Sequence, residues 1–326
     1  MADPRVNKLA ELLVGYSVEV KKGDRVCIHG DAAAEPLINA VYAEVLKAGA
    51  YPFLLIQPND IEDIFYKHAS DDQIAYIHEP ERYISSNYDV MIRLLAEVNT
   101  KSLSNVDAGK MVLHRKARTE LMKVFLKRAS SGDLRWTLTF FPTNALAQDA
   151  DMSLSEYEDF VYSACMPDMA DPTGYWKRFS KKQERIIKWL DGKKRVHVSA
   201  KETDLTLSIE GRKFINCDGH ENMPDGEVFT GPVEDSVNGH VYFSYPAIYQ
   251  GKEITGIRLW FEQGKVIKAT AEKNEDLLLK TLDTDEGARR VGEFAIGTNE
   301  GITKFTREIL YDEKINGSFH MAVGAG

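Results

Sequence analysis

The chain has 326 residues, 43% hydrophobic and 28% charged, which suggests two soluble domains with substantial cores. Its formal net charge of -9 argues against general nucleic-acid or anionic-membrane binding, since both need a basic surface. Cys27, Cys165 and Cys217 stand far apart in no C-x-x-C spacing and read as reduced thiols. Met1-Ala2-Asp3-Pro4-Arg5 opens without an apolar leader and no run reaches the length of a membrane span, so the expected location is cytoplasmic.

In chain order, Val6 to Val18 has helical spacing, with Leu9, Leu12, Leu13 and Tyr16 on one side. Lys21-Lys22-Gly23-Asp24 is a turn, and Arg25 to Gly30 reads as a buried strand. A helix from about Ala34 to Ala48 and a strand from Tyr51 to Ile56 follow. A strand, helix, strand unit of this length implies a parallel pair with a right-handed crossover. The alternation continues with helices at Asp60–Lys67 and Asp71–Ser85 and a strand at Asp89–Leu95. A long helix is expected over Ala108–Arg128, with Met111, Leu121, Val124 and Phe125 as core positions, and a strand over Leu134–Phe141. Such alternation predicts an open α/β sheet.

Ser153-Leu154-Ser155-Glu156 has the form of a capping box, and a further helix runs from about Pro172 to Leu190 until Asp191-Gly192 stops it. From Arg195 onward the texture changes to apolar–polar alternation, at Arg195–Ser199, Asp204–Ile209, Val241–Tyr245, Ile254–Phe261 and Lys265–Thr270, with Gln263-Gly264 as a hairpin turn. The expected organisation is an N-terminal open α/β sheet domain over residues 1–193, followed by a β-rich α+β metal-binding domain over 194–326.

Several familiar chemistries lack their residues. There is no G-x-G-x-x-G or G-K-[ST] to cradle phosphates and no G-x-S-x-G elbow. His29, His68, His78 and His114 share no spacing that puts two on one helix face, and Cys217 in Asn216-Cys217-Asp218-Gly219-His220 reads as a thiol carried on a turn.

The last third is more specific. Pro224-Asp225-Gly226 is a tight turn that delivers Glu227 to the start of an extended Val-Phe-Thr run ended by Gly231-Pro232. In Gly292-Glu293-Phe294-Ala295-Ile296-Gly297, Glu293 interrupts an apolar strand, where a buried carboxylate must be paired or metal-bound. Asp312-Glu313-Lys314-Ile315 is followed by His320, in a Gly-rich stretch, Gly317 to Gly324, that reads as turn-like. Three carboxylates and an imidazole form a ligand mixture suited to hard and borderline metal ions.

In this order the three motifs, Pro-Asp-Gly-Glu-Val-Phe-Thr, Gly-Glu-Phe-Ala-Ile-Gly-Thr-Asn and Asp-Glu-Lys-Ile-x-Gly-Ser-x-His-x-Ala-x-Gly, resemble the aminopeptidase T/aminopeptidase S (PepS) metallopeptidases. The Lys-Lys-Gly-Asp-Arg-Val segment is similar too, so the resemblance spans nearly the whole chain. It implies a metal-dependent aminopeptidase holding two divalent ions (Zn, Co or Mg), with Glu227 and Glu293 as ligands and Glu313 and His320 as the next acidic and imidazole members. Glu313 is either a ligand or the catalytic base. Peptide substrates and a homodimer are implied partners. Family members continue beyond the position of Gly326 into a tyrosine and a His-x-Asp pair. On that expectation the second domain is C-terminally incomplete, and the alternative is a non-catalytic peptide- or metal-binding protein.

Overall fold

A computed structural model describes residues 3–249 and 251–324. They form two compact units, and the chain passes between them more than once. The first holds the residues up to Tyr175 together with Gly219–Pro224; the second holds Trp176–Asp218 and the residues from Asp225 onward. The change of texture after residue 193 marks the first antiparallel strand, whereas the second unit begins earlier, inside the helix Pro172–Leu190. The reason is packing. Trp176, Phe179, Gln183 and Leu190 are buried on that helix, and Leu190 joins the core of the strands that follow it.

The first unit is built on a five-stranded parallel sheet in the order Tyr51–Gln57, Arg25–Asp31, Val90–Leu95, Arg135–Phe140 and Asn222–Met223. Val26, Ile28, Val90, Ile92 and Leu94 are fully buried in its central strands, each contributing about 1.5–3 kcal/mol of transfer free energy. The helix Glu35–Lys47 covers one face with Leu37, Ile38, Val41 and Val45. A Cβ at Gly30 would lie 2.6 Å from Ile38 Cδ1, so this glycine sets how closely that helix approaches. On the edge strand the Tyr51 amide donates inward to the Asp24 carbonyl at 2.8 Å, which leaves Pro52, having no amide hydrogen, facing the unpaired edge.

Two helices expected to be continuous are broken. Asp71–Ser85 is two helices, Asp71–Ala75 and Glu79–Asn87, with Pro80 in the first turn of the second. The long helix divides at Arg118 into Ala108–Ala117 and Thr119–Ser131. Neither piece has a fully buried residue, so Met111, Leu121, Val124 and Phe125 are half-buried rather than core. The capping box at Ser153 and Glu156 is present and opens Leu154–Cys165.

The second unit is β-rich. One antiparallel sheet has the order Lys265–Thr270, Arg258–Glu262, Asn238–Tyr242, Thr203–Ser208, Arg195–Ala200. The run expected as one strand over Ile254–Phe261 is interrupted at Gly256, whose φ of 63° favours glycine and which lies against the Glu272 side chain. A second sheet has the order Phe319–Val323, Val291–Gly297, Glu227–Thr230, Ile215–Cys217. Leu205, Leu207, Val241, Leu259, Phe261, Leu282 and Phe294 belong to the core of this unit. Among the described residues no helix is long and apolar enough to cross a membrane, and Cys27, Cys165 and Cys217 form no disulfide.

Candidate metal centre

The second sheet places the site by register. Cys217 is opposite Glu227, Glu227 is opposite Gly297, and Ala295 is opposite His320. Residues that face each other across a ladder share a sheet face, and residues two apart on one strand share it as well. Cys217, Glu227, Glu293 and His320 therefore project from one side, separated only by Ala295 and Gly297. The stretch around His320 that reads as turn-like is in fact the strand Phe319–Val323, and the pairing is what brings the imidazole to Glu293.

His320 Nε2 lies 3.2 Å from Glu293 Oε1 and 2.9 Å from Glu227 Oε2. Among the described residues, Glu227, Glu293 and His320 form one group whose ligand atoms all fall within 4.8 Å of one another. The contacts from Nε2 match the spacing of neighbouring ligands around a cation with bonds of about 2.0–2.2 Å. Two buried atoms mark the pocket as unsatisfied by protein alone: Glu227 Oε2, close to His320 but outside hydrogen-bond geometry, and His320 Nδ1. Two carboxylate oxygens and an imidazole nitrogen are donors suited to a borderline ion such as Zn²⁺ or Co²⁺. The residues fit a divalent metal ion.

Glu313 follows the short helix Ile309–Asp312 and is not a member of that group. Its Oε2 lies 3.2 Å from Lys314 Nζ. Asp312, its neighbour in sequence, is held elsewhere by the Thr306 amide and hydroxyl at 2.7 and 3.0 Å. Lys314 Nζ is also 3.4 Å from Glu227 Oε1, with the lysine side chain 2% exposed. Glu227 thus has one oxygen toward an ammonium and the other toward the imidazole.

The electrostatics follow from this geometry. Burial alone would raise the Glu227 carboxyl, but His320 and Lys314 outweigh it and hold the group below the ordinary carboxylate range. Burial lifts Glu313 above that range. Burial pulls Lys314 down, yet Glu227, Asp225 and Glu313 together keep it above an ordinary lysine. His320 is likewise opposed by burial and is pushed up to about 9 by Glu227 and Glu293.

The backbone below the site is fixed by Gln183. This fully buried side chain donates from Nε2 to the carbonyls of Cys217 and Glu227, both at 2.9 Å, and lies 3.1 Å from Thr298 Oγ1. The turn before Glu227 is equally tight. Gly226 has φ 132°, its carbonyl accepts from the Thr298 amide at 2.7 Å, and the Asn299 side chain donates to the Asp225 carbonyl at 2.7 Å. Gly297 is required because a Cβ there would lie 2.2 Å from the Ile315 carbonyl oxygen, which crosses this face and brings Lys314 with it.

Three residues of the centre are not legible as site residues in the sequence: Asp225, Lys314 and Gln183. Asp225 is 1% exposed although it stands in a Pro-Asp-Gly turn. Lys314 lies inside a motif quoted above, but with Asp312, Glu313 and Asn316 around it nothing in the local composition marks it as buried. Cys217 is half-buried at a strand end and forms a second group of potential ligands with Asp225 and Glu227.

Carboxylates and an imidazole set on one sheet face to take a cation are the equipment of a metal-dependent hydrolase. Comparison with known proteins agrees: a family model described as thermophilic metalloprotease (M29) matches residues 2–326. The chain belongs to this family and is a peptidase. It is 24% identical to aminopeptidase 2 of Geobacillus stearothermophilus over 357 residues, covering 99% of this chain and 84% of that protein. It is 26% identical to aminopeptidase PepS of Streptococcus thermophilus over 351 residues, covering 98% of this chain and 83% of that protein. Among solved structures, wild-type AmpT from Thermus thermophilus matches with a TM-score of 0.81 at 22% identity, over 98% of this chain and 85% of that one, and so shares the fold.

Proposed function

We propose that this protein is a metal-dependent aminopeptidase that hydrolyses the N-terminal peptide bond of peptides, using a centre of two divalent ions (Zn, Co or Mg). The convergence of Glu227, Glu293 and His320 within 4.8 Å carries the reading. The names of the relatives, aminopeptidase 2 and aminopeptidase PepS, support the amino end of the chain as the point of cleavage. When bound, such ions supply a water ionised near neutral pH and polarise the scissile carbonyl.

The residues divide the work. Glu227, Glu293 and His320 hold the metal. Glu313, whose carboxyl burial lifts and whose side chain is 31% exposed, takes the proton of the attacking water and returns it to the leaving amine. Lys314, 2% exposed, is too deep to touch a peptide and acts through Glu227 and Glu313. The same reading, from the family resemblance, includes a homodimer acting in the cytoplasm.

The test is release of free amino acid from aminoacyl reporter substrates by the purified chain with added Zn²⁺, Co²⁺ or Mg²⁺. Release that a chelator abolishes, and that His320→Ala lacks, is the expected result. No chelator-sensitive release with any of the metals would overturn the proposal. Metal binding without hydrolysis would favour the non-catalytic metal- or peptide-binding alternative.

A further inference from the structure

Two sets of potential metal ligands share one residue. Glu227 belongs to the group with Glu293 and His320, and also to the group with Cys217 and Asp225, each with its ligand atoms within 4.8 Å. A thiolate and two carboxylates would suit Zn²⁺ or Co²⁺ at least as well as two carboxylates and an imidazole. Ligand chemistry alone therefore does not choose between them.

Lys314 does. Its ammonium is buried at 2% exposure, 3.4 Å from Glu227 Oε1 and 3.2 Å from Glu313 Oε2, and Asp225 acts on it electrostatically. A buried ammonium must have its hydrogens accepted and its charge balanced: Glu313 accepts from it at 3.2 Å, Glu227 pairs with it at 3.4 Å, and Asp225 adds negative charge nearby. A divalent ion on the Cys217–Asp225 side would have to share Glu227 with this ammonium, inside a poorly screened interior where like charges repel strongly. Glu227 Oε2 instead faces His320 at 2.9 Å, an imidazole that can give up its proton to solvent and itself become a metal ligand, which an ammonium paired to carboxylates does not do.

We propose that the Lys314 ammonium is the resident cation of the Asp225–Glu227–Glu313 pocket. It keeps Cys217, Asp225 and Glu227 from taking a metal ion and reserves Glu227 for the set with Glu293 and His320. The inference rests on the reading of that second set as the metal centre. Lys314 is in this sense a positioning residue: it decides which face of a shared carboxylate a metal can use. Removing its charge uncovers a latent site. A metal entering there displaces the thiol proton of Cys217 to solvent and binds the thiolate.

The experiment is Co²⁺ loading of the purified full chain, with metal content measured after dialysis and the absorption spectrum recorded. Lys314→Met is expected to bind one more equivalent of Co²⁺ than the unmutated protein and to develop a thiolate-to-cobalt charge-transfer band in the near ultraviolet. Lys314→Arg, which keeps the charge, and Lys314→Met/Cys217→Ser are expected to show no such band. A folded Lys314→Met protein with unchanged Co²⁺ content and no band would overturn the proposal. If Lys314→Met does not fold without metal, its refolding is followed with Co²⁺ present: recovery with the band supports the proposal, and no recovery overturns it. Failure of the parent reading looks different. In that case His320→Ala leaves the Co²⁺ content of the otherwise unmutated chain unchanged, while the Cys217 band still reports on Lys314.

Discussion

Lys314 Nζ and Glu227 Oε1 are 3.4 Å apart, with side-chain exposures of 2% and 8%, so an ion pair with almost no access to water lies directly beneath a candidate metal ligand. Losing one member of a buried pair leaves the other as an uncompensated charge. Lys314→Met is therefore expected to destabilise the metal-free protein by about 3–5 kcal/mol, read by urea denaturation. A loss below about 1 kcal/mol, the range of exposed ion pairs, would show that the pair is solvated in solution.

The imidazole gives a pH dependence with a definite sign. The His320 pKa in the folded, metal-free chain is raised to about 9, above an unperturbed value of about 6.5. Its pairing with Glu227 and Glu293 contributes fully below the unfolded value and is lost as pH rises through the folded one. Metal-free protein should lose on the order of 3 kcal/mol of stability between about pH 6.5 and 9, on the scale of 1.36 kcal/mol per unit. Denaturation midpoints across this range test it, with His320→Gln expected to flatten the profile.

Gln183→Leu removes the amide that ties the carbonyls of Cys217 and Glu227 together. Orphaning buried acceptors is expected to cost about 1–3 kcal/mol. Because Glu227 hangs on that strand, Co²⁺ affinity should also fall by roughly 10–100-fold, the usual size for a partner one step behind a ligand. Calorimetric titration with Co²⁺ reads the second effect. Unchanged affinity in a destabilised protein would confine Gln183 to the fold.

Gly226→Ala meets two obstacles together. The backbone has φ 132°, and the new methyl would lie 2.5 Å from Asn299 Cβ. Overpacking of this kind is expected to cost at least about 1–3 kcal/mol, read as a lower thermal midpoint, with weakened metal binding because the turn aims Glu227. A variant as stable as the parent would mean that the turn relaxes freely.

Much of the first unit is legible in the sequence because its strands are short apolar runs punctuated by Gly, Pro and Asp, and its helices are amphipathic. The misreadings have local causes. Nothing at Arg118 marks a break by composition, so two helices read as one, and Met111 and Phe125 read as core although neither becomes fully buried. Gly317 and Gly324 hide the strand between them, because glycine-rich flanks suggest a turn. At the site, Glu227, Glu293 and His320 stand out because each is polar in an apolar or glycine-bracketed setting. Their convergence is a matter of strand register, which a single sequence does not encode locally. Lys314 and Asp225 were harder because a lysine, and an aspartate in a tight turn, ordinarily face water. In the fold the Ile315 carbonyl lies against Gly297, and Lys314 beside it is buried against Glu227 and Glu313.

The interleaving of the two units bears on how the protein is made. The parallel sheet acquires its fifth strand from Asn222–Met223, a segment synthesised after Trp176–Asp218, which belongs to the other unit. On a ribosome, where folding proceeds from the N-terminus as the chain emerges, the sheet can assemble four strands early but must keep its Arg135–Phe140 edge open until residue 223 is out. Glu227 leaves the tunnel directly afterwards. Closing that edge and delivering the first carboxylate of the metal centre are thus consecutive events in translation.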